Sequence, residues 1–162
     1  MQQSLEEAVV KLLNARGMIL TTVESCTGGL LSGTLINVAG ASDVFKQGYV
    51  TYADEAKHAL VDVKKSTLEK YTAVSAETAK EMAEGGLVAA GADACLSVTG
   101  IAGPDGGSKE KPVGLVYIGC CVKGNTVVQK NVFSGNRREV REQAVVSALK
   151  LLLHCLQTEK QD

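Results

Sequence analysis

The stretch Met18-Ile19-Leu20-Thr21-Thr22-Val23-Glu24-Ser25-Cys26-Thr27-Gly28-Gly29 decides how this chain folds. Residues 18–23 are apolar or β-branched, the composition of a buried strand. The run then breaks into polar residues and glycines, and the pattern beyond predicts a helix over about 28–38. Ser25 therefore stands at a strand-to-helix turn. In α/β folds such turns open on the crevice where ligands bind. The helix N-terminus beyond offers free N–H groups that can hold a phosphate or stabilise an oxyanion. An ordinary helix cap with tolerant glycines has the same spacing, so the pattern leaves both readings open. Cys26 is a rival nucleophile, because a cysteine at a helix N-terminus can have a lowered pKa. The sequence gives it no partner: the only histidines are His58 and His154, and His154 falls deep in the last predicted helix.

Outward from this turn, strands and helices alternate. Ser4 caps a first helix with Glu6 and Glu7 in its opening turn and Leu5, Val9, Leu12 and Leu13 on one face; Gly17 stops it. A second strand is expected over 45–52, a short helix beginning at Asp54, and a helical turn over 67–71. Ser75 caps a long helix over 76–90, closed by Gly91. A buried strand follows over 94–98, then a hairpin of 114–122 and 126–133 about Gly124-Asn125. The last helix covers about 137–156, with Val140, Ala144, Ala148, Leu151 and Cys155 toward the core, and 158–162 reads as a loose tail. This order predicts one α/β layered domain over 1–162 with a mixed, partly parallel sheet.

Composition narrows the function classes. Charge is nearly balanced, 17 Lys+Arg against 18 Asp+Glu, which gives no general pull toward nucleic acid or anionic membrane. Aromatics are 4% and Trp is absent, so the core must be aliphatic. Five cysteines without a Cys-x-x-Cys pair suggest neither a disulfide framework nor a zinc site, and a reducing, cytoplasmic setting is expected. The polar, acidic start is not that of a signal peptide, and no apolar run reaches the roughly 20 residues of a membrane helix.

Three further segments can carry chemistry. Tyr52-Ala53-Asp54-Glu55-Ala56-Lys57 puts a phenol at a strand end and a lysine one helical turn beyond. Such a lysine is either a solvated surface residue or, if Ala56, Ala59, Leu60 and Val61 bury it, a base for a serine. Residues 99–107 hold five positions of glycine or proline, Gly100, Gly103, Pro104, Gly106 and Gly107, and read as a mobile loop or as a backbone that approaches a ligand closely. Arg137, Arg138 and Arg141 sit at a helix start, where the dipole disfavours cations, unless they hold an anion.

The segments Glu-Ser-Cys-Thr-Gly-Gly at 24–29, Tyr-Ala-Asp-Glu-Ala-Lys at 52–57, Val-Ser-Ala-Glu-Thr-Ala at 74–79, the glycine loop with Glu-Lys-Pro-Val-Gly at 99–114, and Gly-Asn-Arg-Arg-Glu-Val-Arg at 135–141 stand in one order along the chain. In that order they resemble the C-terminal domain of the competence/damage-inducible protein CinA, a family also known as nicotinamide-nucleotide amidases. The resemblance implies a three-layer α/β/α sandwich in a stand-alone form. The implied reaction is hydrolysis of the carboxamide of nicotinamide mononucleotide to nicotinic acid mononucleotide and ammonia, a step of pyridine nucleotide salvage. It further implies Ser25 as nucleophile, Lys57 aided by Tyr52 as base, and the Thr99 hydroxyl beside backbone N–H groups at the oxyanion. Substrate binding falls to Thr27, Gly28, Gly29, Gly100, Gly103, Gly106 and Gly107, with Arg137 or Arg141 on the 5′-phosphate. No metal or cofactor is implied, and a homodimer is expected. A non-catalytic module that binds a nucleotide or a protein partner remains the alternative. Asn136, Asp105 and Lys109 depart from the family's usual acid, glycine and proline.

Overall fold

A computed structural model describes residues 2–159. The first helix, α1 (Leu5–Arg16), forms as its caps dictate: Ser4 and Glu7 close a capping box and Gly17 ends it in the left-handed conformation. Strand β1 (Leu20–Glu24) is wholly buried and leads through the Ser25 turn into α2 (Leu30–Ile36). After a 3-10 turn, Ala41–Asp43, come β2 (Tyr49–Val50), α3 (Asp54–Val61), α4 (Lys65–Tyr71) and α5 (Ala76–Ala90). Strands β3 (Ala94–Gly100), β4 (Leu115–Val122) and β5 (Asn125–Val132) precede α6 (Arg137–Thr158).

The five strands form one mixed sheet in the order β2-β1-β3-β4-β5. β1 pairs in parallel with both β2 and β3, while β3-β4-β5 run antiparallel. Helices α1, α2 and α6 pack together on one face, and α5, with α3 and α4 behind it, covers the other. The larger aliphatic core lies under α1, α2 and α6 and includes Leu13, Leu20, Leu31, Leu96, Ile118 and Leu152. A smaller one, of Val23, Val61, Val63, Met82 and Cys95, lies between sheet and the α3/α5 layer. The expected α/β/α sandwich is thus what the chain builds. Its connections leave β1 toward opposite sides, so the C-terminal end of β1 is the sheet's topological switch point, where open α/β sheets place ligands.

Several boundaries differ from the sequence expectation. The strand expected over 45–52 shrinks to Tyr49–Val50 plus one bridge from Phe45 to Leu20. Between them the Thr21 hydroxyl takes the Gln47 carbonyl at 2.9 Å, a side-chain bond where a ladder bond was expected. β3 extends two residues past the expected end. The hairpin turns at Lys123-Gly124, one residue earlier than expected, with both φ positive (49° and 85°), the geometry whose twist matches the flanking strands. Cys155 is only partly buried. Of the expected tail, Thr158 ends α6, and 160–162 lie outside the described residues. Among the described residues no helix is long and apolar enough to cross a membrane.

The close approach of α3 to α5 positions the lysine discussed below, and it depends on Gly85. A Cβ there would stand 1.8 Å from the Val61 carbonyl oxygen, a backbone atom that cannot step aside. Gly85→Ala is expected to cost about 3 kcal/mol by overpacking and lower Tm by roughly 6–12 °C. Gly33, in α2 with nothing within 4 Å of its Cβ position, is the opposite case. Gly33→Ala should stabilise by roughly 0.5–1 kcal/mol, the helix-propensity difference. Thermal unfolding of the two variants checks both signs.

Candidate active site

Ser25 emerges at the switch point because β1 ends there: its N–H is spent on the Val98 carbonyl (2.9 Å), the last parallel contact with β3. Gly29, the residue that caps α2, has φ 105° and no side chain to bond the first turn. Glu24 does that work. Its carboxyl group, with no exposed surface, accepts from the N–H of Leu31 (2.8 Å), the N–H of Ser32 (3.0 Å) and the Ser32 hydroxyl (2.6 Å). A negative group at a helix N-terminus is favoured by the dipole, and here it locks strand end to helix start across the Ser25 turn. Arg141 closes the other side, donating from Nε to the Cys26 carbonyl and from Nη2 to the Thr27 carbonyl, each at 3.0 Å.

The second half of the site comes from the opposite helical layer. Lys57, on the inward face of α3, is fully buried, with none of its surface exposed. Its Nζ reaches Ser25 Oγ at 2.9 Å, the Thr51 carbonyl at 2.7 Å and the Tyr52 carbonyl at 3.4 Å. As an ammonium it donates to all three. As a neutral amine it has two N–H groups for the carbonyls and one lone pair, which then faces the Ser25 hydroxyl. Burial pushes the lysine below its ordinary pKa, favouring the neutral form, while Asp54 pulls the other way. The local run the sequence suggested is only half inward: Val61 is buried and Ala56 partly so, while Ala59 and Leu60 are exposed, Leu60 by 48%. The amine itself is enclosed at the sheet end by Ser25 and the Thr51 and Tyr52 carbonyls.

Ser25, Cys26, Tyr52, Lys57, Ala73, Val74, Thr99, Gly100, Ala102 and Arg137 line a cavity of about 190 Å³. Larger hollows exist, such as one of about 530 Å³ beside Cys155, but the Ser25–Lys57 contact opens on the smaller cavity. The remaining sequence candidates fall into two groups. Arg137 reaches the cavity, with Nη1 on the Gly103 carbonyl (2.8 Å) and Nη2 on the Tyr52 hydroxyl (3.2 Å). Thr27, Gly28, Gly29, Gly103, Gly106, Gly107 and Arg141 do not line it. Thr27 is buried with an unpartnered hydroxyl, and Arg141 is committed to the turn's carbonyls.

Two of the expected catalytic hydroxyls have partners of their own in this structure. The Tyr52 side chain is 63% exposed and its hydroxyl meets Arg137; it is the residue's carbonyl, not its phenol, that touches Lys57. The Thr99 hydroxyl gives its single proton to the Ala73 carbonyl at 2.8 Å, so it has none to donate to an oxyanion. The N–H groups of Cys26 and Thr27, which meet no carbonyl among the described residues, are the donors left beside Ser25. Glu24 and Lys111, whose Nζ bonds Tyr71, Thr72 and Val74, were missed as supporting residues. A buried acid directly before the serine was the one available signal for Glu24. Among the described residues no cluster of His, Cys, Asp or Glu has the makings of a metal site.

The CinA C-terminal domain family model matches residues 2–156. A putative competence-damage inducible protein of Clostridium novyi is 52% identical over 92% of the chain, and a CinA-like protein of Kosmotoga olearia 51% over 96%. The chain spans only 36% and 38% of the length of these curated relatives. Solved structures match end to end. The competence/damage inducible protein CihA from Agrobacterium tumefaciens has a TM-score of 0.92 at 40% identity, covering 95% of this chain and 94% of that one. The competence damage-inducible protein A from Klebsiella pneumoniae has 0.93 at 38%, covering 96% and 97%.

The thiols separate the two nucleophile candidates. Burial pushes Cys26 up to about 11, with Arg141 and Lys57 only partly offsetting it, so at neutral pH it stays a thiol. The partly buried Cys155 is lowered by a hydrogen bond from the Cys120 thiol, against its own burial. Brief iodoacetamide treatment of the folded protein near pH 7.5 should therefore alkylate Cys155 first and leave Cys26 unmodified. Peptide mass spectrometry reads this directly, and early labelling of Cys26 would contradict the buried-thiol geometry.

Proposed function

The chain belongs to the CinA C-terminal domain family, and from that premise we propose that it is an amidohydrolase that cleaves the carboxamide of nicotinamide mononucleotide with Ser25 and Lys57. The observation that carries the reading is the 2.9 Å contact between a buried lysine amine and a serine hydroxyl at the switch point of the sheet. Two carbonyls take the amine's protons and aim its lone pair at the hydroxyl, an arrangement with little structural use but a direct chemical one.

In the proposed course the neutral Lys57 takes the proton of Ser25 as Oγ attacks the carboxamide carbon. The N–H groups of Cys26 and Thr27 stabilise the oxyanion. Lys57, now an ammonium held by the Thr51 and Tyr52 carbonyls, returns the proton to the departing ammonia. Water then releases the acid from Ser25 by the same proton path in reverse. The cavity, at about 190 Å³, is smaller than the roughly 300–1,000 Å³ of most ligand sites, which suits one end of a nucleotide, the pyridine carboxamide. For the phosphate we propose Arg137, which lines the cavity, ahead of Arg141, which does not and which bonds the turn's carbonyls.

Ammonia release from nicotinamide mononucleotide by the purified protein is the primary test. Binding of the nucleotide without release would make the chain a nucleotide-binding module instead. Ser25→Ala should lose at least about a thousandfold in rate, while Cys26→Ala keeps most of it. The rate should rise with pH through a midpoint below the ordinary 10.5 of lysine, because the base works only when deprotonated and burial favours that form. Lys57→Arg keeps the charge but cannot give up the proton, so it should be nearly inactive. An active arginine variant would end the base assignment.

A further inference from the structure

The glycine loop, residues 101–114, leaves β3 and returns to β4, and its outer part, 104–110, is exposed. It is fastened at two points. Arg137 holds the Gly103 carbonyl at one. At the other, Lys111 Nζ donates to the Tyr71 carbonyl (2.9 Å), the Thr72 hydroxyl (2.8 Å) and the Val74 carbonyl (2.7 Å). Three bonds use every proton an ammonium has. Ser108 presents the lysine: its N–H donates to the Lys111 carbonyl (2.7 Å) and its hydroxyl accepts from the Lys111 N–H (3.0 Å).

The segment that Lys111 grips, between α4 and α5, is strained. Thr72 has φ 65° and ψ 179°, a conformation that is essentially glycine's alone and costs a β-branched residue roughly 1–3 kcal/mol. It persists because its neighbours over-determine it. Ser75 Oγ (3.1 Å) and Thr78 Oγ1 (2.7 Å) donate to the Thr72 carbonyl, and Thr99 Oγ1 donates to that of Ala73. The two residues that follow the strained one, Ala73 and Val74, are walls of the Ser25 cavity. None of the bonds that hold this turn touches Ser25 or Lys57. The strain therefore serves the shape of the cavity and not the proton transfer.

We infer that Lys111 is a positioning residue for the substrate: by clasping the loop to the strained turn it fixes the Ala73–Val74 wall against which the bound end of the substrate packs. The inference rests on the amide-hydrolysis reading for its substrate. Without the clasp the wall relaxes and the loop lifts, so binding weakens, while the Ser25–Lys57 contact stays as it is.

The test compares Lys111→Met with Lys109→Met, which removes the same charge from the same loop without touching the clasp. A glutamate-specific protease reports on the loop through cleavage after Glu110, independently of any activity. Kinetics on nicotinamide mononucleotide report on the wall. Lys111→Met should be cleaved at least about tenfold faster than the parent and raise KM about tenfold, with kcat and the pH midpoint unchanged. Lys109→Met should match the parent in both assays. An unchanged KM, or a fall in kcat with a shifted pH midpoint, overturns the positioning role. If the parent neither binds nor hydrolyses the nucleotide, it is the amidase reading that fails. The protease result then stands alone, and a Lys111→Met protein cut no faster than the parent overturns the clasp.

Discussion

A lysine with no exposed surface governs this structure. Burying an ammonium is costly unless its charge is lost or its protons are all taken, and the one set of partners around Lys57 suits either form: three acceptors for an ammonium, or two carbonyls and a hydroxyl for an amine. The carbonyls of Thr51 and Tyr52 face it because β2 stops at Val50: the Thr51 N–H makes a last bond to β1, on the Glu24 carbonyl at 2.8 Å, and the two carbonyls turn to the lysine instead. The lysine can reach them because α3 lies hard against α5, an approach that Gly85 permits. A short edge strand and a helical glycine, each unremarkable alone, are thus both conditions of the Ser25–Lys57 contact.

The two helical layers contribute unlike things to the site. The α3/α5 layer supplies the amine and the Ala73–Val74 wall. The α2/α6 layer fixes the turn, through Glu24 at the start of α2 and Arg141 of α6 on the turn's carbonyls. Both layers meet only where the sheet's connections part, at the end of β1. Arginines at the start of α6 oppose the helix dipole, and this position is offset by what they hold: backbone carbonyls of the turn and of the glycine loop. In this structure Arg141, one of the two arginines suggested for the phosphate, bonds carbonyl oxygens. Arg137 alone keeps a face to the cavity.

Much of the fold was legible because it was written locally. The capping box at Ser4, the Ser75 cap, the Gly91 stop and the Lys123-Gly124 turn act within a few residues of themselves, and so the helices and the hairpin fell near their expected places. The aliphatic pattern of β1 likewise marked a strand buried on both faces. β2 was overestimated because its neighbour's side chain, Thr21, took a bond that composition assigned to the ladder.

What the sequence by itself determined was the order of elements, the strand-to-helix turn at Ser25, and the family whose motifs it carries. These rest on short-range forces and on residue types at fixed spacing. The tertiary structure decided the rest. The enclosure of the Lys57 amine comes from the sheet end, through Ser25 and the Thr51 and Tyr52 carbonyls, while of its own helix neighbours Val61 is buried and Ala59 and Leu60 face solvent. The raised pKa of Cys26 follows from its burial, which outweighs the groups that lower it. The hydroxyls of Tyr52 and Thr99 take partners 85 and 26 residues away in the chain. Protonation and hydrogen-bond direction depend on what packs around a group, and packing between distant segments is the one quantity a residue's neighbours in sequence do not set.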